Sequence, residues 1–506
     1  MDAEFIRREG SGGTTECTPK RNECPIQPVL WCSAGHLARP RPTIRRRALA
    51  KDVANSSLMQ ASSDPRDAET APQSMPVTPV VFARLGALNI LSTITVPLAG
   101  LVDTAMLGHL PSEVSLAGVA LGAIFFDYVF WSFGFLRMAT TGLAAGAVGR
   151  DLPDQLRELL WRATAIGFVI GAALLCIIPI IGLLAPLVSD GMPLVRAEAT
   201  GYVQARLVGA PASLANFALA GWLIGTGRSA RALALALVQN LGNIAFNVLF
   251  IMVLNLGATG AGLGTACAQW LGFLAIAGSL IPLARPRPAI HRIFERSPTR
   301  ALFQIGGDLT VRTICLVTAF SAFTAAGALF GVAILAAQAV LMRILGLFSY
   351  VVDGLAYAVE TLAGQSVARG RTHDARRAVR WGILSALALS ALMGGAALLW
   401  SRPLLSLLTN LESVLVVAEA WIPACIACAM LGSVAYILDG LFIGTSASAE
   451  LRVAMLWSIA IGFLPLFVLG IALMSMGLLW CSLLGFMLAR VITLTRRRSA
   501  ALTPSN

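Results

Sequence analysis

Apolar runs of about 20 residues, separated by short polar interruptions, recur from Phe82 to Ile492. In α-helical form a run of that length covers roughly 30 Å of hydrocarbon at about 1.5 Å per residue. The pattern predicts twelve membrane spans, over 82–107, 115–148, 160–188, 195–222, 232–254, 258–283, 301–326, 331–367, 379–408, 414–440, 453–473 and 475–495. Several exceed the minimum length, which implies tilt or extension beyond the bilayer.

Composition agrees with an all-α integral membrane protein in contact with lipid. Of 506 residues 57% are hydrophobic and only 13% charged, and mean hydropathy is +0.76, far above globular usage. Charge adds orientation, because basic residues near span ends are retained on the cytoplasmic side. Arg150, Arg157 and Arg162 follow the second span, Arg228 and Arg231 the fourth, and Arg285, Arg287, Arg292, Arg296 and Arg300 the sixth. Arg369, Arg371, Arg376, Arg377 and Arg380 follow the eighth, Arg452 the tenth, and Arg496, Arg497 and Arg498 the twelfth. The intervening connections GHLPSE, VLNLGATG and SMG carry none, with Arg196 and Arg402 the nearest exceptions. Both termini are therefore expected in the cytoplasm. The net charge of +12 is mostly topological, and no compact basic region with interleaved aromatics supports nucleic-acid binding.

Residues 1–80 are of another kind, rich in Pro, Ser and Arg and without apolar periodicity, which predicts a disordered cytoplasmic tail or an over-long gene start ahead of Met75. Acids at Asp2, Glu4, Glu9, Glu16 and Glu23 argue against a transit peptide. Cys17, Cys24, Cys32 and His36 match no zinc spacing, and Cys425 and Cys428 lie one turn apart inside a span. No nucleophile elbow or phosphate loop occurs, so nothing local suggests an enzyme, a cofactor or a metal site.

The chain repeats itself at an offset of 219 residues. GWLIGTGRSA at 221–230 matches GLFIGTSASA at 440–449 in six of ten positions, and TGLAAGAVGR at 141–150 matches ETLAGQSVAR at 360–369 in four. Six spans precede the repeat, so the halves share one orientation, and such repeats place a transport pathway at their interface. The expected organisation is a six-helix lobe at 81–296, a second at 297–498 and a short cytoplasmic tail at 499–506.

Four blocks then carry a resemblance: LVDTAMLGHL in the first span, FLRMATTGLAAGAVGR ending the second, VVDGLAYAVETLAGQSVARG ending the eighth, and LDGLFIGTSASAELRVAM after the tenth. Together they resemble the multidrug and toxic compound extrusion (MATE) family of the MOP superfamily, within it the DNA-damage-inducible F (DinF) branch, over roughly 80–495. The resemblance implies a monomeric, cation-coupled exporter of organic, cationic or amphipathic compounds in a bacterial inner membrane. Its two lobes would flank a central cleft that alternates between inward-open and outward-open states. The proton is favoured over sodium as coupling ion, and no other cofactor is implied. A lipid-linked precursor flippase shares the superfamily fold, but a pyrophosphate favours several cavity arginines, and here most lie in loops. The second-to-third loop, GRDLPDQLREL, lacks the major-facilitator pattern. An integral-membrane enzyme would need a catalytic cluster at one membrane face, and none is visible; saturable exchange rather than conductance would set a transporter apart from a channel.

An intramembrane acid costs roughly 2.5–3.5 kcal/mol on insertion scales and so usually faces a cavity and serves a function. Asp103 has no basic residue within a turn on its own span. A desolvated carboxyl of that kind can exchange protons near neutral pH, which makes Asp103 the candidate coupling residue. Pro97 removes a backbone hydrogen bond beside it and can bend the helix. The alternative is an interfacial acid, with His109 further along. MATE relatives often carry an Asn and an Asp four residues apart on the fifth span, facing this acid; here Asn243 and Asn247 stand in NIAFN, so Asp103 is the sole acid expected there. Buried Asn pairs also serve as interhelical glue. On the eighth span Tyr350, Asp353, Tyr357 and Glu360 form one stripe, opposite Trp131, Gly134, Met138 and Thr141 in the repeat. The stripe could hold organic cations through charge and cation-π attraction, or pair with Arg312 or Arg343. Asp308 and Arg312, at i and i+4, are expected to form a local ion pair, and Asp127 to pair with Arg137.

Overall fold

The computed structural model describes residues 75–108, 113–180 and 192–503. The expectations for the tail before Met75 and for His109 lie outside them, as does the side chain of Asp127. Among the described residues there is no strand; the chain is a succession of helices.

In the first half these are α1 (Pro79–Gly108), α2 (Glu113–Phe133), α3 (Phe135–Gly149), α4 (Pro153–Leu175), α5 (Pro193–Leu207), α6 (Ala210–Gly225), α7 (Ser229–Asn247) and α8 (Gly257–Leu280). After the short linker helix α9 (Ile290–Ile293) come α10 (Arg296–Ala326), α11 (Val332–Ala368), α12 (Thr372–Leu399), α13 (Ser401–Ser406), α14 (Glu412–Gly444), α15 (Ser448–Trp457), α16 (Leu464–Ala472) and α17 (Met476–Ala501). Among the described residues eleven helical stretches are long and apolar enough to cross a membrane, twelve when α5 and α6, bent by 53°, are counted as one span. The third starts earlier than its apolar run, at Pro153, because Pro sits at the helix N-terminus and lets polar turns precede the membrane. At the other end α17 continues through Ala501, which is fully buried, so the expected boundary at 498 falls inside a packed helix.

The repeat is written in the backbone as well. Left-handed residues occur at Asp151 and Gly370, at Gly227 and Ser446, and at Asn255 and Met474. Each pair is separated by the offset of the sequence repeat, so three turns recur in both halves even where Gly is replaced by a side chain that rarely takes positive φ. The fifth span of each half also contains a π-helical turn, at its end in the first (Val248–Val253) and in mid-span, ahead of α16, in the second (Ser458–Phe463).

Within the first half α4 packs on α6, α7 on α8 and α1 on α7; within the second α11 packs on α14 and α12, and α14 on α17. The halves also meet, and the described residues form one compact unit. Close approach depends on small residues: a Cβ on Gly354 would sit 2.4 Å from the Ile90 backbone nitrogen, and one on Gly142 would sit 2.3 Å from the Ile443 carbonyl. Thr93 Oγ1 donates to the Tyr350 carbonyl at 2.7 Å, the furthest of these contacts from the Arg-bearing ends. Beyond it α1 continues through Pro97, which has no N–H for the carbonyl one turn earlier. The helix is thus tied to the second half up to Thr93, loosened at Pro97, and then held to α7 at Asp103.

Candidate functional site

Asp103 is half-buried near the end of α1, and two amides from α7 reach it. Asn247 Nδ2 donates to Asp103 Oδ1 at 2.7 Å. Asn243, one turn earlier, has two ways of fitting. With its nitrogen toward the acid it lies 2.9 and 3.1 Å from the two carboxylate oxygens, and its carbonyl accepts from Thr265 at 3.1 Å and from Asn247 at 3.3 Å. Turned over, Nδ2 donates to Thr265 Oγ1 at 3.1 Å, while Thr265 donates to the Ala261 carbonyl at 3.0 Å. The first arrangement suits a carboxylate, which only accepts; the second turns the amide oxygen to the acid and suits a protonated carboxyl, which can donate. The cluster can satisfy both charge states by rotating one side chain.

Gly264 makes the cluster possible, since a Cβ there would lie 1.9 Å from Asn247 Oδ1. Gly264→Ala is expected to displace Asn247 and slow any transport that uses Asp103 by about tenfold or more at unchanged membrane abundance, a loss on the scale of one hydrogen bond to a charged group, about 1.5–3 kcal/mol. Efflux at the parental rate would show that the Asn247 contact is dispensable.

Three further features were not legible in the sequence. Arg206, in the last turn of α5, attracts Asp103 through space while donating to the Tyr202 hydroxyl at 2.5 Å and lying 4.3 Å from the Phe126 ring. The acid is therefore not without a cation, because a distant span supplies one. Secondly, the α7 stripe extends past the asparagines: Asn240 donates to Thr95 Oγ1 at 2.6 Å, and Gln239 to Gln269 Oε1 at 2.9 Å. Asn216 on α6 donates to the same Gln269 oxygen at 3.1 Å. The steps of four from Gln239 through Asn243 to Asn247 are the signal that could have revealed it.

The third feature lies in the second half, where the candidate stripe is paired more heavily than expected. Glu360, almost fully buried, pairs with Arg137 of α3 at 3.1 Å, and the same guanidinium lies 4.2 Å from the Tyr357 ring centre. Arg137 is thus paired with an acid of the other half, while the expected partner Asp127 has its side chain outside the described residues. Arg312 does not pair with Asp308, correcting the i,i+4 expectation. It binds the buried Asp439 of α14, which also accepts from Arg490 of α17 at 2.7 Å. Asp308 instead pairs with Arg452 at 2.5 Å and accepts from Ser448 at 2.7 Å, both on α15. The reason is desolvation: Asp439 is almost fully buried and, without cationic partners, would be an uncompensated charge, so it draws Arg312 away from its neighbour on α10. Among the described residues Asp353 has no ion-pair partner and feels Arg312, Arg137 and Arg490 only at a distance. Tyr350 contributes its carbonyl to Thr93. An open acidic cage for cations is therefore reduced to Asp353, since Glu360 and Asp439 are occupied and the Tyr357 face is covered.

The chain matches the family model described as MatE over residues 89–249 and 309–468, two stretches displaced by the repeat offset to within one residue. It is 33% identical over 410 residues to DNA damage-inducible protein F of Escherichia coli (strain K12), covering 80% of this chain and 88% of that one. It is 25% identical to multidrug resistance protein MdtK of Cronobacter sakazakii over 60% of this chain and 66% of the other. Among solved structures, the outward-facing conformation of a multidrug resistance MATE family transporter of the MOP superfamily superposes with a TM-score of 0.75 at 18% identity. That match covers 84% of this chain and 96% of the other.

Proposed function

The chain belongs to the MatE family, on its DNA-damage-inducible F branch, and is a multi-pass membrane transporter rather than an enzyme; we propose that it exports organic, cationic or amphipathic compounds by alternating access, in exchange for protons bound at Asp103. The observation that carries this reading is the Asp103, Asn243, Asn247 and Thr265 cluster, whose hydrogen bonds can be completed with the acid charged or neutral. A coupling site needs both states to be populated, and it must sit where protonation can act on the moving parts. Asp103 lies one and a half turns beyond Pro97, on the part of α1 that faces α7 rather than α11.

With the Arg-bearing ends in the cytoplasm of a bacterial inner membrane, the contacts from Thr93 and Tyr350 to Arg369 and Gly149 close the cleft on that side. Single cysteines at the exposed positions Arg292 and Arg371 are expected to react with an impermeant maleimide only when it is supplied from the cytoplasmic side. Reaction from outside would overturn the orientation.

Purified protein in sealed vesicles provides the test of function. An imposed pH gradient is expected to drive saturable uphill export of a lipophilic organic cation, and an imposed sodium gradient at equal pH is not. Export under sodium alone would transfer the coupling to another ion. The three central arginines do not revive a pyrophosphate substrate, because Arg137, Arg312 and Arg490 are each already paired with a carboxylate.

A further inference from the structure

The seam that closes the cleft at the Arg-bearing end is built from repeat mates that are chemically unlike. On one face α11 of the second half lies against the ends of α6 and α3 of the first. Thr361 Oγ1 donates to the Ile224 carbonyl at 2.7 Å, Gln365 Nε2 to the Gly225 carbonyl at 2.9 Å, and Arg369 Nε to the Gly149 carbonyl at 3.1 Å. Arg369 also pairs with Asp151 at 2.8 Å. Gly225 and Gly149 end their helices, where the last carbonyls lack an intrahelical partner, so Gln365 and Arg369 cap α6 and α3, while the Ile224 carbonyl that Thr361 reaches also accepts the Gly227 N–H at 2.8 Å. Thr361 is fully buried and Gln365 nearly so. Gln365 is used at both ends, because its oxygen accepts the Met75 backbone N–H at 3.1 Å.

On the mate face α3 lies against the end of α14, and the positions of Thr361 and Gln365 are held by Gly142 and Gly146. Neither has a side chain to donate. Gly142 lies in backbone contact with Ile443, the repeat mate of Ile224. At Gly146 there is room: the nearest atom a Cβ would meet is the Arg150 guanidinium at 3.5 Å.

We propose that this seam is a gate with a bonded face and a sliding face, in which Thr361 and Gln365 are positioning residues that hold the halves together while Gly142 and Gly146 allow them to part. The asymmetry follows from donor count. Opening the bonded face strips Gln365 Nε2 from the Gly225 carbonyl and Thr361 from the nearer of its two acceptors, leaving it the Tyr357 carbonyl at 3.0 Å, whereas opening the glycine face parts the Gly142 and Ile443 backbones with no side-chain donor lost from either glycine. Each such bond is worth roughly two- to tenfold in the ratio of closed to open protein. The proposal rests on the alternating-access reading only for its consequence in transport; the gate itself is a statement about which contacts set the closed population.

The experiment uses the full chain with its nine cysteines replaced and spin labels at two exposed positions flanking the seam, Asp154 at the start of α4 and Arg377 at the start of α12. Their distance distribution is measured by pulsed electron resonance in lipid nanodiscs. Thr361→Val with Gln365→Met removes the donors without adding glycine to the helix, and is expected to move at least fourfold more of the population to the longer distance. Gly146→Gln supplies the missing donor on the other face and is expected to shift the population toward the shorter distance. Because loss of structure cannot produce opposite shifts, unchanged distances in both variants, or movement of both in one direction, would overturn the gate. Vesicles that exported nothing in a pH gradient would count against the proposed function and leave this distance measurement standing.

Discussion

Asp103→Asn protein in sealed vesicles is expected to lose export driven by a pH gradient while folding and inserting like the parent. Asparagine keeps the size of the acid and can still accept from Asn247 Nδ2, the 2.7 Å contact, and donate to the Asn243 carbonyl once that amide points its nitrogen at Thr265. The cluster is therefore complete, and the site is fixed in the neutral state. A proton gradient can perform work only through a group whose protonation differs between the access states, and a membrane potential adds about 2.3 kcal/mol per charge per 100 mV only if such a charge moves. Substrate binding at equilibrium should survive, because the substitution leaves the rest of the cleft untouched. Asn247→Asp provides the complement: a second carboxyl beside the first should permit folding and change the pH dependence of export. Uphill export by Asp103→Asn at near the parental rate would remove Asp103 from the mechanism. Attention would then pass to Asp353, the unpaired member of the α11 stripe.

The largest expected effect on stability belongs to Asp439. Its carboxylate is shared by Arg312 and Arg490; Arg490 and Asp439 are within 3% of full burial and Arg312 is largely covered. Asp439→Leu would leave two guanidinium groups without a counter-charge. Breaking a buried pair from one side costs about 3–5 kcal/mol, since the surviving charge stays desolvated. The fraction of detergent-solubilised protein that survives heating, followed by size-exclusion fluorescence, is expected to fall sharply. Replacing all three residues together, with Leu at Asp439 and Arg312 and Met at Arg490, should recover much of the loss, because an apolar trio of similar volume needs no compensation. If the single variant were as heat-resistant as the parent, the triad would be hydrated in the membrane and not the sealed cluster described above.

The same residues show where sequence reasoning reached and where it stopped. Helix number, span positions and repeat offset were all legible, because each depends on local properties: twenty apolar residues must become a helix in hydrocarbon, whatever surrounds them. Asp103 and the two asparagines were legible for a related reason, since an acid or a pair of amides four residues apart is conspicuous where nearly everything else is apolar. Partner choice was not legible. Asp308 and Arg312 are neighbours on one helix, yet each is taken by a different helix, and Asp439 passed unnoticed within LDGLFIG although it anchors two arginines. Arg206 reaches Asp103 from another span, and Arg137 crosses between the halves to Glu360. Sequence alone determined the membrane architecture, its internal symmetry and the acid at its heart, because burial in lipid dictates those one helix at a time. Which charge meets which, and which face of the seam carries the bonds, was decided only when the helices packed, because a buried charge is satisfied by whichever opposite group is nearest in space and not in chain order.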